Sequence, residues 1–259
     1  MRRARSLLSA GSSVFPEAAR KELAASMKSF WTATSAVRDL DVLLEAIGER
    51  NDSISQELHD GSRLLVAALR LRRSTRFDEM ESLMTGQRNA AMVRNWQMLG
   101  SVYRVGGDEP GPDALTPAGQ VVDASLMAAF RRVRNGGRRA HATDDLADWH
   151  ELRKRVKRLR YVVSAFEPMY PEESMDPVVR KVRKLQNVLG RLQDHATEIA
   201  MIESVGAGMG GRGALAAGAL SDQLHRALHE DLERCLGAWV RFDQHSVRRK
   251  LRSAIASAG

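Results

Sequence analysis

The chain has 259 residues, with 40 Lys and Arg against 32 Asp and Glu, and a formal net charge of +8. One cysteine, Cys235, excludes an intrachain disulfide and fits a reducing compartment, and no run of about 18 apolar residues marks a transmembrane helix. The positive balance points to an anionic partner: nucleic acid, a membrane surface or another polyanion.

Aromatic residues are scarce and no alternating β-branched strands are visible, so the composition reads as all-α. The first segment, MRRARSLLSAGSSVF, is basic and free of acid until Glu17, but its apolar stretch is too diluted for a secretory signal. Apolar periodicity predicts helices over 1–14, 17–35, 38–48, 54–73 and 77–100, then 123–135, 144–168, 176–192, 195–204 and 219–241. Pro16, Pro171 and Pro177 stand where helices start or end. Two segments, 106–119 and 206–218, read as loops. The second holds a GxGxxG match at Gly206, Gly208 and Gly211, but a helix precedes it where a dinucleotide site needs a strand, so it is a connector.

The chain also carries a faint internal repeat. A shift of 155 residues places Arg3 on Arg158, Arg5 on Arg160, Pro16 on Pro171, Val37 on Leu192 and Asp39 on Asp194, with no gap. The expected organisation is a first helical repeat over 1–105, a linker over 106–122 and a second repeat over 123–259.

The most charged segment is HELRKRVKRLRY, 150–161. On a helical wheel that starts from His150, Leu152, Val156, Leu159, Val163 and Phe166 fall between about 160° and about 240°, one apolar stripe. Arg153 falls at about 300°, Lys157 at about 340° and Arg160 at about 280°, with Lys154 at about 40° and Arg158 at about 80°. His150 therefore sits within a basic face opposite the stripe, and Arg155 stands apart. A solvated face normally mixes signs, whereas like charges here lie at 153/157 and 154/158, each pair mildly destabilising. A bound anion removes that repulsion. The basic residues span roughly 15 Å of helix, more than one phosphate requires and suited to a chain of them.

HELRKRVKRLRY, followed by FEPMYP and by KLQNVLGRLQDH at 184–195, resembles the CHAD family, the conserved-histidine α-helical domain. RRARSLL…VFP and AVRDLDVLLEAI at 36–47 carry the likeness into the first half. The resemblance implies two pseudo-symmetric helical bundles around a central basic channel. It further implies a non-catalytic module that binds inorganic polyphosphate. It implies a cytoplasmic location with targeting to polyphosphate granules, and a triphosphate-processing enzyme as partner. By position it implies His150, Arg153, Lys157 and Arg160 as channel residues, flanked by Lys154 and Arg158, with Lys184 a further candidate. The repeat offset adds Arg2, Arg3 and Arg5, and the helix leading into the motif adds Arg131 and Arg134. Met1 aligns with Val156, so the first-repeat counterpart of His150 is expected upstream of Met1, and MRRARSLL reads as half a helix.

Other features point elsewhere. Asp39, Asp41, Asp194 and His195 read as helix caps or arginine partners, and no cofactor or metal is expected. His225 and His229 have a zinc spacing without a converging third ligand. Trp31, Trp96, Trp149 and Trp239 read as core, and Cys235 as a buried small hydrophobe. The alternative to polyphosphate is a helical nucleic-acid binder using the same face, with Tyr161 as the only aromatic in the run.

Overall fold

Helix α2 (Glu17–Arg50) runs without a break through TATSAVRD, which reads as a helix end. The hydroxyls explain the continuity. Thr32 and Thr34 donate to the Lys28 and Phe30 carbonyls four residues back, both at 2.9 Å. These bonds keep the side chains from competing for the backbone of another conformation. The computed structural model describes residues 2–105 and 111–257, without the side chains of residues 2, 3, 5, 6, 19, 53 and 98–105.

The described residues are all-helical, with no strand. The other α-helices are α1 (Arg2–Ala10), α3 (His59–Thr85), α4 (Gln87–Val105), α5 (Ala118–Thr143), α6 (Leu146–Phe166), α7 (Glu172–Gly206), α8 (Gly211–Phe242) and α9 (His245–Ala256). Three differences from the expected elements have local causes. Helix α3 continues past Arg73, where Thr75 bonds back to the Leu71 carbonyl at 3.3 Å, and ends before Gly86. Helix α7 absorbs Pro177 near its start, where the ring forfeits the bond to the Glu173 carbonyl. The expected 206–218 loop shrinks to four residues, because Gly211, at φ +55°, turns the chain directly into α8. Helix α5 begins inside the expected linker, and α9 lies beyond the last helix expected from periodicity. Positions 106–110 of the expected 106–119 loop lie outside the described residues.

The chain packs as two compact units, divided by packing rather than by sequence order. The first comprises Met1–Ala24, Met98–Arg191 and Asp231–Gly259; the second comprises Ala25–Gln97 and Leu192–Glu230.

The core of the first unit is built on the α6 stripe. Leu152, Val156 and Leu159 are fully buried and Val163 nearly so. Burying each of these side chains contributes about 1.5–3 kcal/mol. Phe130 of α5 meets Phe242 of α8 at 5.7 Å between ring centroids, and Trp239 lies 6.0 Å from Phe242. Trp149, Trp239 and Cys235 are buried as expected, whereas Trp31 and Trp96 are half-buried. Burial, and then the charge of Asp231, push the Cys235 thiol up to about 12. Asp231 is fully buried between Arg234 at 2.8 Å and Arg191 at 3.4 Å. Tyr170 closes FEPMYP by donating to Asp123 at 2.6 Å. Burial and that bond hold its phenol well above the ordinary range.

The second unit buries Leu43 and Ile47 of α2, Leu65 and Leu69 of α3, Ile202 of α7 and Leu220 and Leu224 of α8. Gly61 lets α3 approach α8 closely, since a Cβ there would lie 2.0 Å from the Arg212 carbonyl oxygen. At its edge Arg50 lies 3.6 Å from the buried Glu198 and 3.4 Å from His195, and Asp41 accepts from Arg73 at 2.5 Å. Burial raises the Glu198 pKa, with Arg50 opposing and Asp194 adding to the rise.

Two glycine-to-alanine changes should therefore move stability in opposite directions. At Gly137 of α5 a Cβ would lie 2.2 Å from the Trp239 ring, so Gly137→Ala should cost about 1–3 kcal/mol by forcing that packed ring aside. At the exposed Gly218 of α8 nothing lies within 4 Å, so Gly218→Ala should stabilise by about 0.5–1 kcal/mol. Urea midpoints of the two variants check both signs.

Candidate functional site

The corner between α5 and α6 fixes where the charged helix begins. Asp144 ends α5 in the left-handed conformation at φ 51°. Asp145 then caps α6 by accepting from the Ala147 amide at 2.9 Å. One turn on, Asp148 is buried and accepts from Thr143 Oγ1 at 2.9 Å and from Arg139 Nε at 2.8 Å. The Thr143 bond and the Arg139 charge hold its carboxyl below the usual carboxylate range, against the opposing effect of burial. This anchored turn carries Trp149 into the core and sets His150 beside it.

From there the register of α6 sorts the cations. His150, Arg153, Lys157 and Arg160 lie on one face, and all four are half-buried. Arg160 donates to Gln186 of α7 at 2.9 Å, and Tyr161, on the same side, is half-buried as well. Lys154, at the edge of this face, is exposed and pairs with Glu151. Lys154 lowers the pKa of Glu151, chiefly through their hydrogen bond.

Arg158 goes elsewhere. It lies about 160° around α6 from Arg160 and donates to the Ser9 hydroxyl and, at 3.4 Å, to the Ser9 carbonyl at the end of α1. Burial lowers its pKa, and the positive charges of Arg132 and Arg20 lower it further. Arg155 donates to the Arg132 carbonyl at 3.3 Å, which ties α6 to α5. Arg134 is neutralised by Asp243, an acid it shares with Arg138 at 3.3 Å. Arg131 is exposed on α5. Arg2, Arg3 and Arg5 lie on α1, but their side chains fall outside the described residues.

Lys184 belongs to a separate cluster. It is exposed on α7 and lines a small cleft with Arg180 and Lys181 of the same helix and Lys250 of α9. Gln186, which receives Arg160, lies about 160° around α7 from Lys184. Arg180 is paired with Asp176 at 2.7 Å.

The structure thus draws His150, Arg153, Lys157 and Arg160 together and places Arg158 and Lys184 apart from them. Sequence reasoning missed Arg20 and Arg132 beside Arg158, because only packing of three helices brings them together. It also missed Arg180 and Lys181, although their spacing from Lys184 puts all three on one side of a helix. Among the described residues, no three His, Cys, Asp or Glu side chains gather as a metal site. No helix among them is long and apolar enough to cross a membrane.

A family model of the CHAD domain matches residues 1–203. The fold is similar to the crystal structure of the CHAD domain from the plant Ricinus communis, with a TM-score of 0.62. The two share 20% identity, and the match covers 97% of this chain and 78% of that one. No curated protein matches the chain.

The α6 anchor has a pH signature. Because the Asp148 pKa is lowered from its ordinary 3.8, the stability it contributes is present above that value and lost as pH falls through the lower, folded value. Asp148→Asn should lower the urea midpoint at pH 6 and flatten its further decline toward pH 3. A variant whose acid limb matches the parent would show that Asp148 does not carry this dependence.

Proposed function

The chain belongs to the CHAD domain family, and from that premise we propose that it binds inorganic polyphosphate along the cationic face of α6. The observation that carries this reading is the half-burial of His150, Arg153, Lys157 and Arg160 on one face of one helix. Partial burial lowers the effective dielectric, so each cation attracts a phosphate oxygen more strongly than a fully solvated one does. It also sharpens the repulsion among the cations, which an anion relieves. The face is roughly 15 Å long and runs along the helix, the shape a phosphate chain needs. Arginine contributes forked donors and lysine a point charge. Binding releases counterions, so affinity falls steeply with salt.

In this reading the protein is a binding module and not an enzyme. It comprises two pseudo-symmetric repeats, 1–105 and 123–259, joined by 106–122, whose basic faces line a central channel. Helix bounds support the repeat: α2 starts at residue 17 and α7 at 172, the 155-residue offset of the sequence. Under that offset Arg2, Arg3 and Arg5 correspond to Lys157, Arg158 and Arg160. A triphosphate-processing enzyme as partner and a cytoplasmic place at polyphosphate granules complete the proposal.

Titration calorimetry with long-chain polyphosphate at two salt concentrations tests it. The chain should bind tightly at low salt and much more weakly at high salt. Lys157→Ala/Arg160→Ala should weaken binding at least about tenfold, the loss expected for two charged contacts. An oligonucleotide should compete poorly, and no phosphate should be released with magnesium present. Equal binding by the double variant would remove the α6 face from the reading, and preference for the oligonucleotide would replace polyphosphate with nucleic acid.

A further inference from the structure

A second cationic site lies on the other side of α6, within the first unit. Arg158 of α6 and Arg132 of α5 line a cavity of about 180 Å³ with Ser9, Ser13 and Ser125. The turn after α1 closes one side of it. There the Gly111 amide donates to the Val14 carbonyl at 3.1 Å and the Asp113 amide to the Ser13 carbonyl at 2.9 Å. Gly111 is required at this contact, since a Cβ would lie 2.3 Å from the Ser13 carbonyl oxygen.

The charge here is out of balance. Among the described lining residues, Asp113 is the only carboxylate, against Arg132 and Arg158. Arg20 of α2, which has Glu17 within electrostatic reach, adds a third positive charge close enough to act on Arg158, and its Nε is buried with no hydrogen-bond partner among the described residues. Packing α1 against α6 needs one arginine at the Ser9 carbonyl. It does not need three guanidinium groups brought close enough to repel. Clustered guanidinium groups repel one another, and an anion between the half-buried Arg158 and the exposed Arg132 relieves that repulsion. The lining offers what a small oxyanion requires: guanidinium forks, serine hydroxyls and a bounded volume that takes a tetrahedral anion with a little hydration water.

We infer that this cavity is a discrete phosphate-binding site, held by Arg132 and Arg158 with the serine hydroxyls, and separate from the α6 face proposed for polyphosphate chains. Arg20 supplies long-range attraction. The ligand class is a single phosphate group, either free orthophosphate or the terminal group of a chain.

Calorimetry of the full chain with sodium phosphate, against sodium chloride of equal ionic strength, tests the site. One orthophosphate should bind per chain. Arg132→Ala should weaken it at least about tenfold, as loss of a charged contact does, while Lys157→Ala/Arg160→Ala leaves it intact. Arg132 is exposed, so its variant should fold, and a melting curve without phosphate checks this. Should it fail, Arg132→Gln keeps the stem and removes the charge. No orthophosphate binding by the parent chain up to roughly 10 mM, or unchanged binding by the Arg132 variant, would overturn the inference. Long chains that displace orthophosphate from Lys157→Ala/Arg160→Ala would assign the pocket to chain ends, and failure to displace it would assign it to free phosphate. Orthophosphate binding without polyphosphate binding would overturn only the α6 reading, and the reverse would overturn only this one.

Discussion

Burial of the α6 apolar stripe governs where each cation of the charged motif ends up. Leu152, Val156 and Leu159 are fully buried, and nothing at those three positions could rotate outward without opening the core. Once the stripe is fixed inward, the advance of roughly 100° per residue sets every other direction. His150, Arg153, Lys157 and Arg160 share one side, Lys154 is left to solvent, and Arg158 is turned toward α1 and α5. The capped and ion-paired start of α6 at Asp145 and Asp148 holds this register from its first turn.

Away from that face, other positive charges of the first unit stand in contrasting settings. Arg134, Arg139 and Lys154 have acids beside them that offset their charge. Arg132 and Arg158 line a cavity whose described lining holds one carboxylate, Asp113, and Arg20 lies close enough to act on Arg158. An arrangement of the second kind is easier to hold when an anion is present, because an anion that binds only the folded chain adds its binding free energy to stability. An anion held there would couple ligand binding to folding through the same arginines.

How much of this was legible depended on the range of the interaction. The α6 stripe and the basic face opposite it were readable because both follow from the period of a single helix. Membership of the CHAD family was readable from HELRKRVKRLRY and KLQNVLGRLQDH. The continuity of α2 was not, because serine and threonine favour helix ends until their hydroxyls bond back to the preceding turn, as Thr32 and Thr34 do. The shallow pattern of Val247, Leu251 and Ala254 in the basic α9 was present in the sequence but masked by its charges. The burial of Asp231 was hidden altogether, since one of the arginines that satisfies it, Arg191, comes from another helix.

The sequence by itself determined an all-α chain, a basic helix with an apolar back, and the residue types able to hold phosphate. These follow from composition and periodicity, which act within one element. Only the tertiary structure decided which cations from different helices come together. It brought Lys250 of α9 to the Lys184 side of α7, away from Gln186, and it brought Arg20 and Arg132 to Arg158. Helix packing fixes these groupings by joining side chains far apart in sequence, and no spacing within a single helix encodes which neighbour will cover it.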